Sequence, residues 1–204
     1  MQADADCPPP FPPTEWTRAP SSTGGVGQRP ACDRSCQYLD VRFHAEHRFN
    51  ASKQSIGKLL AEPSFYLDLD LPDLSRPVLL ESHQDGRISV VKLRYAFVGP
   101  LDPIAQRLVG SSPLAWIQEL LIDRRAGSGA LHFEAEFDPR RLHGTGDFVL
   151  AETIDGTVIS CDGDLMIGIP GIGRLIERQI VPLLLHRLDI EAKALDGYLR
   201  QLAR

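Results

Sequence analysis

The sequence predicts an α+β domain in which a curved, seven-stranded antiparallel sheet wraps around one long C-terminal helix. Between residues 41 and 168, seven segments alternate apolar and polar residues with the period of two that is typical of a strand. Asp85-Gly86 and Asp155-Gly156 separate pairs of these segments and are strong two-residue turn signals. From Gly171 onward the apolar residues recur at helical spacing instead. The expected order of elements is therefore β-α-α-β-β-β-β-β-β-α.

Capping residues, proline and turn signals locate the elements that precede the long helix. Residues 41–49 form the first predicted strand, and Asn50 or Ser52 can cap the short helix that follows. Pro63 is expected to end that helix, because proline disrupts the helical hydrogen bonding, and a second short helix is expected from Ser64. The later strands are predicted at 78–84, 87–97, 114–124, 130–138, 145–154 and 157–168, with one short helix around 104–108.

The predicted C-terminal helix is the one element long enough to cover the apolar face of such a sheet. About 30 residues, each rising about 1.5 Å, span roughly 45 Å. Pro182 should kink the helix near its first third. Arg187 and Glu191 are expected on the side that faces solvent. A curved sheet that grips one helix often leaves an apolar pocket between them, and such a pocket is the default ligand site.

Composition argues against several functions. The chain has 43% hydrophobic residues, 24% charged residues and a formal charge of -5, so it offers no basic surface for nucleic acid. It contains no stretch of about 18 apolar residues, and no membrane span is expected. The N-terminus lacks the positive start and apolar run of a secretory signal, so we expect a cytoplasmic protein.

The first 40 residues differ from the rest of the chain. Seven of the 16 prolines lie there, and no apolar periodicity is present. Such a segment cannot bury enough apolar surface to offset the entropy of ordering it. We therefore predict a disordered tail over residues 1–40 and one folded domain over residues 41–204.

Neither a metal nor a cofactor is expected. Three tail cysteines and His44 could in principle offer four zinc ligands, but their spacing fits no common zinc pattern. Gly171-x-Gly173 lacks the third glycine of a dinucleotide-binding loop, and the hairpins before it do not form the βαβ unit which that loop requires. The three tail cysteines are Cys7, Cys32 and Cys36.

Four segments resemble a known superfamily: 43–49, 60–66, 116–120 and 169–177. Together with the order of elements, they are similar to the START-like, or helix-grip, superfamily. It includes the major birch-pollen allergen, lipid-transfer domains and polyketide cyclases. More narrowly, the segments resemble an uncharacterised family within it. The resemblance covers roughly residues 41–202 and implies a helix-grip fold and an apolar ligand, but it carries no catalytic motif.

The candidate site is the interior between the sheet and the C-terminal helix. There we expect an apolar small molecule or lipid to bind without catalysis, with Gln118 and Glu152 as polar anchors among apolar neighbours. Alternatively, these buried polar groups satisfy each other, or a bulge turns Glu152 outward. The predicted lining residues are Tyr95, Phe97, Trp116, Gln118, Phe133, Phe148, Glu152, Ile176, Ile180, Leu184 and Leu188.

Two other functions remain open from the sequence. A polyketide cyclase or hydrolase would need an acid–base pair in the same interior, and Glu152 with His47 or Tyr95 is the combination that the alternation offers. A protein-interaction module, such as a chaperone partner, would use the outer face of the sheet, where Ile117 and Leu121 are expected. The protein partner itself cannot be named from the sequence.

Overall fold

The computed structural model describes residues 39–100, 114–140, 142–167 and 173–202. For residues 39–40, 167, 173–180 and 183 it describes the backbone alone. Most of the predicted tail, with its three cysteines, and the predicted helix around 104–108 lie outside the described residues.

The described residues form one seven-stranded antiparallel sheet and three helices, as predicted. The strands follow the order β1-β7-β6-β5-β4-β3-β2 across the sheet. Two helices carry the chain from one edge strand to the other, and successive hairpins then bring it back beside the first strand. The strands are β1 (Leu39–Phe49), β2 (Val78–Asp85), β3 (Ile88–Ala96), β4 (Ala115–Asp123), β5 (Ser128–Ala135), β6 (Leu142–Thr153) and β7 (Gly156–Ile167).

The two Asp-Gly signals are confirmed as hairpin turns. β2 ends at Asp85 and β6 ends at Thr153, so both hairpins close within two residues. Gly86 has a φ of +56° and Gly156 a φ of +139°, and both values lie in the region that favours glycine. The residue type at each turn therefore fixes the register of the flanking strands.

The three helices begin where the sequence signals lie. α1 (Lys53–Leu60) is capped by Ser52, whose Oγ accepts a hydrogen bond from the backbone N–H of Ser55 at 3.2 Å. α2 (Pro63–Leu67) has Pro63 in its first turn, where a missing N–H does no harm. α3 (Gly173–Leu202) has 30 residues and continues through Pro182. None of the described helices is long and apolar enough to cross a membrane.

An apolar core fills the part of the interior next to α1 and α2. Ile56 and Phe65 are fully buried there, together with Leu195 and Leu199 from the C-terminal part of α3. The ring of Phe65 meets the edge of the Tyr198 ring, with 5.8 Å between centroids. This packing fixes one end of α3 against the rest of the domain and leaves its middle turns over the inner face of β3 and β4.

Candidate functional site

Three of the predicted lining residues meet on the inner face of β3 and β4. The strand register sets Tyr95 directly opposite Trp116, and their rings stack with 5.6 Å between centroids. Gln118 lies two residues along β4 from Trp116, hence on the same face, opposite Leu93. Tyr95 is fully buried and Gln118 is 4% exposed. A stacked aromatic pair and one amide therefore face the helix.

Arg187 of α3 covers this aromatic pair. Its guanidinium lies 4.3 Å from the Tyr95 ring centroid and 5.6 Å from that of Trp116. Nη2 donates to Oε1 of Gln118 and Nε donates to Oε1 of Glu191, each at 2.8 Å. The Arg187 and Glu191 side chains are only 15% and 17% exposed. We call Tyr95, Trp116, Gln118, Arg187 and Glu191 the polar cluster.

The expectation that Arg187 and Glu191 face solvent is wrong. They belong to the row of α3 residues spaced by four that continues to the buried Leu195 and Leu199. A buried arginine is tolerated because the negative charge of Glu191 balances its positive charge and Gln118 accepts a hydrogen bond from it. The isolated Gln118 on an apolar strand face was the sequence signal that a polar partner lay opposite.

The hydrogen bonding of the polar cluster is incomplete. Oη of Tyr95 is buried and has no hydrogen-bond partner. Arg187 cannot accept the phenol hydrogen, because a guanidinium is only a donor. The hydrogen bonds of the described residues use Nε and Nη2 of Arg187 and Oε1 of Gln118, and Nη1 of Arg187 and Nε2 of Gln118 take no part in them. Three neighbouring groups thus present N–H or O–H bonds outside these hydrogen bonds.

The interior disfavours anions. Burial raises the pKa of the Tyr95 phenol; Arg187 opposes this shift and Glu191 adds to it. Burial also raises the pKa of the Cys161 thiol on β7 to about 11, and Asp162, Asp147 and Glu191 contribute further. Both groups therefore stay neutral at neutral pH, and the interior contains no reactive thiolate at Cys161.

Three phenylalanine rings lie sideways across neighbouring strands. A Cβ atom placed on Gly144 would collide with the ring of Phe133, and one placed on Gly129 would collide with the ring of Phe148. Glycine therefore lets each ring extend along the sheet surface instead of rising toward α3. Phe43 lies over Gly163 of β7 in the same way. This arrangement, which the sequence pattern did not reveal, keeps the three rings close to the inner face of the sheet.

The middle turns of α3 are less completely packed than its C-terminal turns. Leu184 and Leu188 are half-buried and lie outside the packed apolar core of the described residues. The backbone of the helix includes Ile176 and Ile180, but their side chains lie outside what the structure describes. Phe97 is half-buried just beyond the end of β3, where it pairs with Leu74.

The placement of Glu152 in the interior is wrong. The two residues do share a face of β6, as alternation predicts, and Leu150 is buried on the inner face. However, the hairpin of β6 and β7 extends beyond the covered interior, and residues 151–155 are all exposed. Glu152 lines an open surface depression of about 720 Å³ beside Asn50 and Ser52 instead.

His47 lies on the inner face of β1 and binds α3. Its Nε2 lies 2.8 Å from Oδ1 of Asp189, and its side chain is 23% exposed. His47, Tyr95 and Glu152 thus do not form one acid–base site. Ile117 and Leu121 are half-buried on the outer face. Among the described residues, no group of three or more His, Cys, Asp or Glu side chains could hold a metal ion.

Comparisons with known proteins identify the architecture. No family model matches the chain, and neither does any curated protein. A START superfamily protein from Mycobacterium smegmatis is 18% identical, with a TM-score of 0.50 over 80% of this chain and 98% of that one. A STAR-related lipid transfer protein from Xanthomonas axonopodis is 17% identical, with a TM-score of 0.51 over 83% and 97%. This chain has the helix-grip fold.

A third helix-grip structure is an enzyme. The Zhui aromatase/cyclase from Streptomyces sp. R1128 is 14% identical to this chain, with a TM-score of 0.55 over 82% of this chain and 97% of that one. The structural similarity to these three proteins establishes the fold that the sequence resemblance implied. The narrower resemblance to one uncharacterised family stays a prediction.

Proposed function

We propose that this helix-grip chain binds a largely apolar small molecule or lipid between the inner face of the sheet and α3, without catalysis. The observation that carries the proposal is the polar cluster. Oη of Tyr95 is buried without an acceptor, and Nη1 of Arg187 and Nε2 of Gln118 lie beside it outside the hydrogen bonds of the described residues. A buried hydroxyl is normally satisfied, so this convergence favours an acceptor supplied by a ligand or by a water molecule that a ligand can displace.

The surroundings of the cluster support an apolar ligand body. The phenylalanine rings on β5 and β6 lie along the sheet, and Leu184 and Leu188 are half-buried above it. Incompletely packed apolar side chains gain free energy when a ligand covers them, at about 25 cal/mol per Å² of apolar surface removed from water. The lipid-transfer name of one solved neighbour is consistent with such a ligand.

Binding without catalysis is preferred over a cyclase or hydrolase activity. A general base must reach its substrate within hydrogen-bond distance. Glu152 is exposed at the far end of β6, while Tyr95 is fully buried. His47 binds Asp189 and not a member of the polar cluster. The polar cluster itself contains one carboxylate, Glu191, and Arg187 holds it as an ion pair.

A hydrocarbon probe tests the proposal. Diphenylhexatriene, which fluoresces in apolar surroundings, should bind the full chain saturably. The Leu184→Asp variant, which puts a charge above the inner face, should lose at least about tenfold in affinity because a buried charge is strongly disfavoured. Leu202→Asp is the matched control on the same helix, since Leu202 is 74% exposed, and it should bind as the wild type does.

Circular dichroism of both variants shows whether each one is folded. Absence of saturable binding to the folded wild type would refute the proposal. Equal binding by folded Leu184→Asp and by the wild type would refute the location between the sheet and α3.

A further inference from the structure

The polar cluster restricts which ligand oxygen it can accept. We propose that it binds an uncharged carbonyl oxygen, as in a ketone or an ester, in preference to a free carboxylate. Glu191 is the residue that sets this preference. The inference rests on the proposed function and names the chemical class of the ligand.

The unsatisfied groups require an acceptor. Oη of Tyr95, Nη1 of Arg187 and Nε2 of Gln118 can all donate; the first is buried without an acceptor, and the other two take no part in the hydrogen bonds of the described residues. A carbonyl oxygen has two lone pairs and can accept two of these hydrogen bonds at once. A hydrocarbon would leave all three donors unsatisfied, at the desolvation cost of each.

Access to the cluster passes by Arg187. Oη of Tyr95 is covered, whereas the Arg187 side chain retains 15% of its surface. Arg187 is therefore the more accessible of the two side chains to an incoming oxygen. Because Nε and Nη2 already bind Glu191 and Gln118, Nη1 is the guanidinium nitrogen left for the ligand.

The charge balance disfavours a carboxylate. Arg187 and Glu191 form an ion pair with 2.8 Å between Nε and Oε1, so the cluster is already neutral. A second carboxylate beside Nη1 would add a net negative charge to a poorly solvated site and would be repelled by Glu191. A ketone oxygen brings the same acceptor geometry without that charge.

Glu191 also acts on groups outside the polar cluster. After burial, it contributes to the raised pKa of the Tyr66 phenol and, behind Asp162 and Asp147, to that of the Cys161 thiol. At Tyr95 the effect of Arg187, which lowers the phenol pKa, precedes that of Glu191, which raises it.

Two probes with the same nonyl chain test the assignment. Methyl nonyl ketone and decanoic acid differ in the polar group alone, and the acid is ionised at about pH 8. In a Trp16→Phe background, Trp116 is the remaining tryptophan of the chain and lies within the polar cluster, so its fluorescence reports binding. We expect the wild-type chain in this background to bind the ketone at least about tenfold more tightly than the acid, a difference of about 1.4 kcal/mol.

Glu191→Gln should shift that preference toward the acid by at least about tenfold, because Arg187 then has no carboxylate partner in the polar cluster. The matched control is Glu136→Gln, which removes the carboxylate that binds Arg94 and should leave the ratio unchanged. Tyr95→Phe removes one donor without changing the charge of the cluster. It should weaken binding of the ketone by about fivefold.

The outcomes separate the two proposals. If diphenylhexatriene binds but the wild type prefers the acid or shows no preference, the carbonyl assignment is overturned and the proposed function stands. The same holds if neither nonyl probe binds, or if folded Glu191→Gln keeps the wild-type ratio. If Glu191→Gln does not fold, an unchanged ketone affinity in Tyr95→Phe overturns the assignment. If neither diphenylhexatriene nor the nonyl probes bind, the proposed function falls.

Discussion

On the outer face of the sheet, Arg94 binds Glu136 through Nε and Nη2, which donate to the two carboxylate oxygens at 2.8 Å each. On the inner face, Arg187 binds Glu191 through Nε alone, also at 2.8 Å. Its Nη2 donates to Gln118, and Nη1 takes no part in the hydrogen bonds of the described residues. The outer side chains are 30% and 26% exposed, and the inner ones 15% and 17%.

The two Arg–Glu pairs differ in how completely they are hydrogen-bonded and in how much water reaches them. Two parallel hydrogen bonds satisfy the outer pair, and water can reach whatever remains. The inner pair is less exposed, and burying a charge pair with unused donors lowers stability unless something completes it. Replacing a buried ion pair with apolar side chains is often neutral or stabilising, so stability alone does not explain this pair. Its position on the side of α3 that faces the sheet supports the binding site proposed above.

The largest expected effect comes from removing the inner arginine. Arg187→Met leaves the Glu191 carboxylate and the Gln118 carbonyl without their partner, and we expect a loss of about 3 kcal/mol in the free energy of unfolding. Arg94→Met, the matched change on the outer face, should cost distinctly less because water can solvate Glu136. Urea unfolding of both variants measures the difference, and equal losses would show that the two pairs are equivalent.

The double variant Arg187→Met/Glu191→Leu controls for the uncompensated charge. With both charged groups gone, stability should return to within about 1 kcal/mol of the wild type or exceed it. A double variant as unstable as Arg187→Met would mean that the ion pair itself holds the helix in place. That result would contradict the interpretation of the inner pair as a binding feature.

A smaller effect on stability is expected from two buried tyrosines, one with a hydrogen-bonded hydroxyl and one without. Oη of Tyr66 donates to the Leu60 carbonyl at 2.8 Å, whereas Oη of Tyr95 has no partner. Tyr66→Phe should therefore lower the free energy of unfolding by about 1 kcal/mol, while Tyr95→Phe should leave it unchanged or raise it. Thermal melts of both variants without ligand measure this, and a larger loss in Tyr95→Phe would show that its hydroxyl is satisfied.

The smallest effect is a pH dependence of the outer pair. The hydrogen bonds from Arg94 lower the pKa of Glu136 below its ordinary value of 4.5. Because the folded pKa lies below the unfolded one, the pair stabilises the fold above about pH 4.5, and this contribution is lost as pH falls through the lowered pKa. Glu136→Gln should therefore flatten the decline of stability below about pH 4.5.

Glu152→Gln, which removes an exposed carboxylate at the hairpin tip instead, is the comparison variant. The pKa of Asp189, lowered by His47, and that of Asp123, lowered chiefly by the backbone N–H of Ala126, add dependence of the same sign in all variants. An unaltered decline in Glu136→Gln would contradict the expected stabilisation by Arg94.

The sequence predicts the elements well because their signals are local. Ser52, Pro63 and the two Asp-Gly turns each act within a few residues, and every predicted strand lies within a few residues of its observed position. The candidate site was predicted in part. Alternation correctly put Tyr95, Trp116 and Gln118 on one buried face, but it could not show that the end of β6 projects beyond the interior and exposes Glu152.

By itself, then, the sequence determined the seven strands, their hairpin register and the long closing helix, since periodicity, caps and turn residues encode them locally. Tertiary structure alone decided that Arg187 and Glu191 lie inside, because a charged residue is buried only when a partner is present, and Gln118 is 69 residues away along the chain. It also decided that glycines lie beneath the phenylalanine rings, since that contact depends on cross-strand pairing.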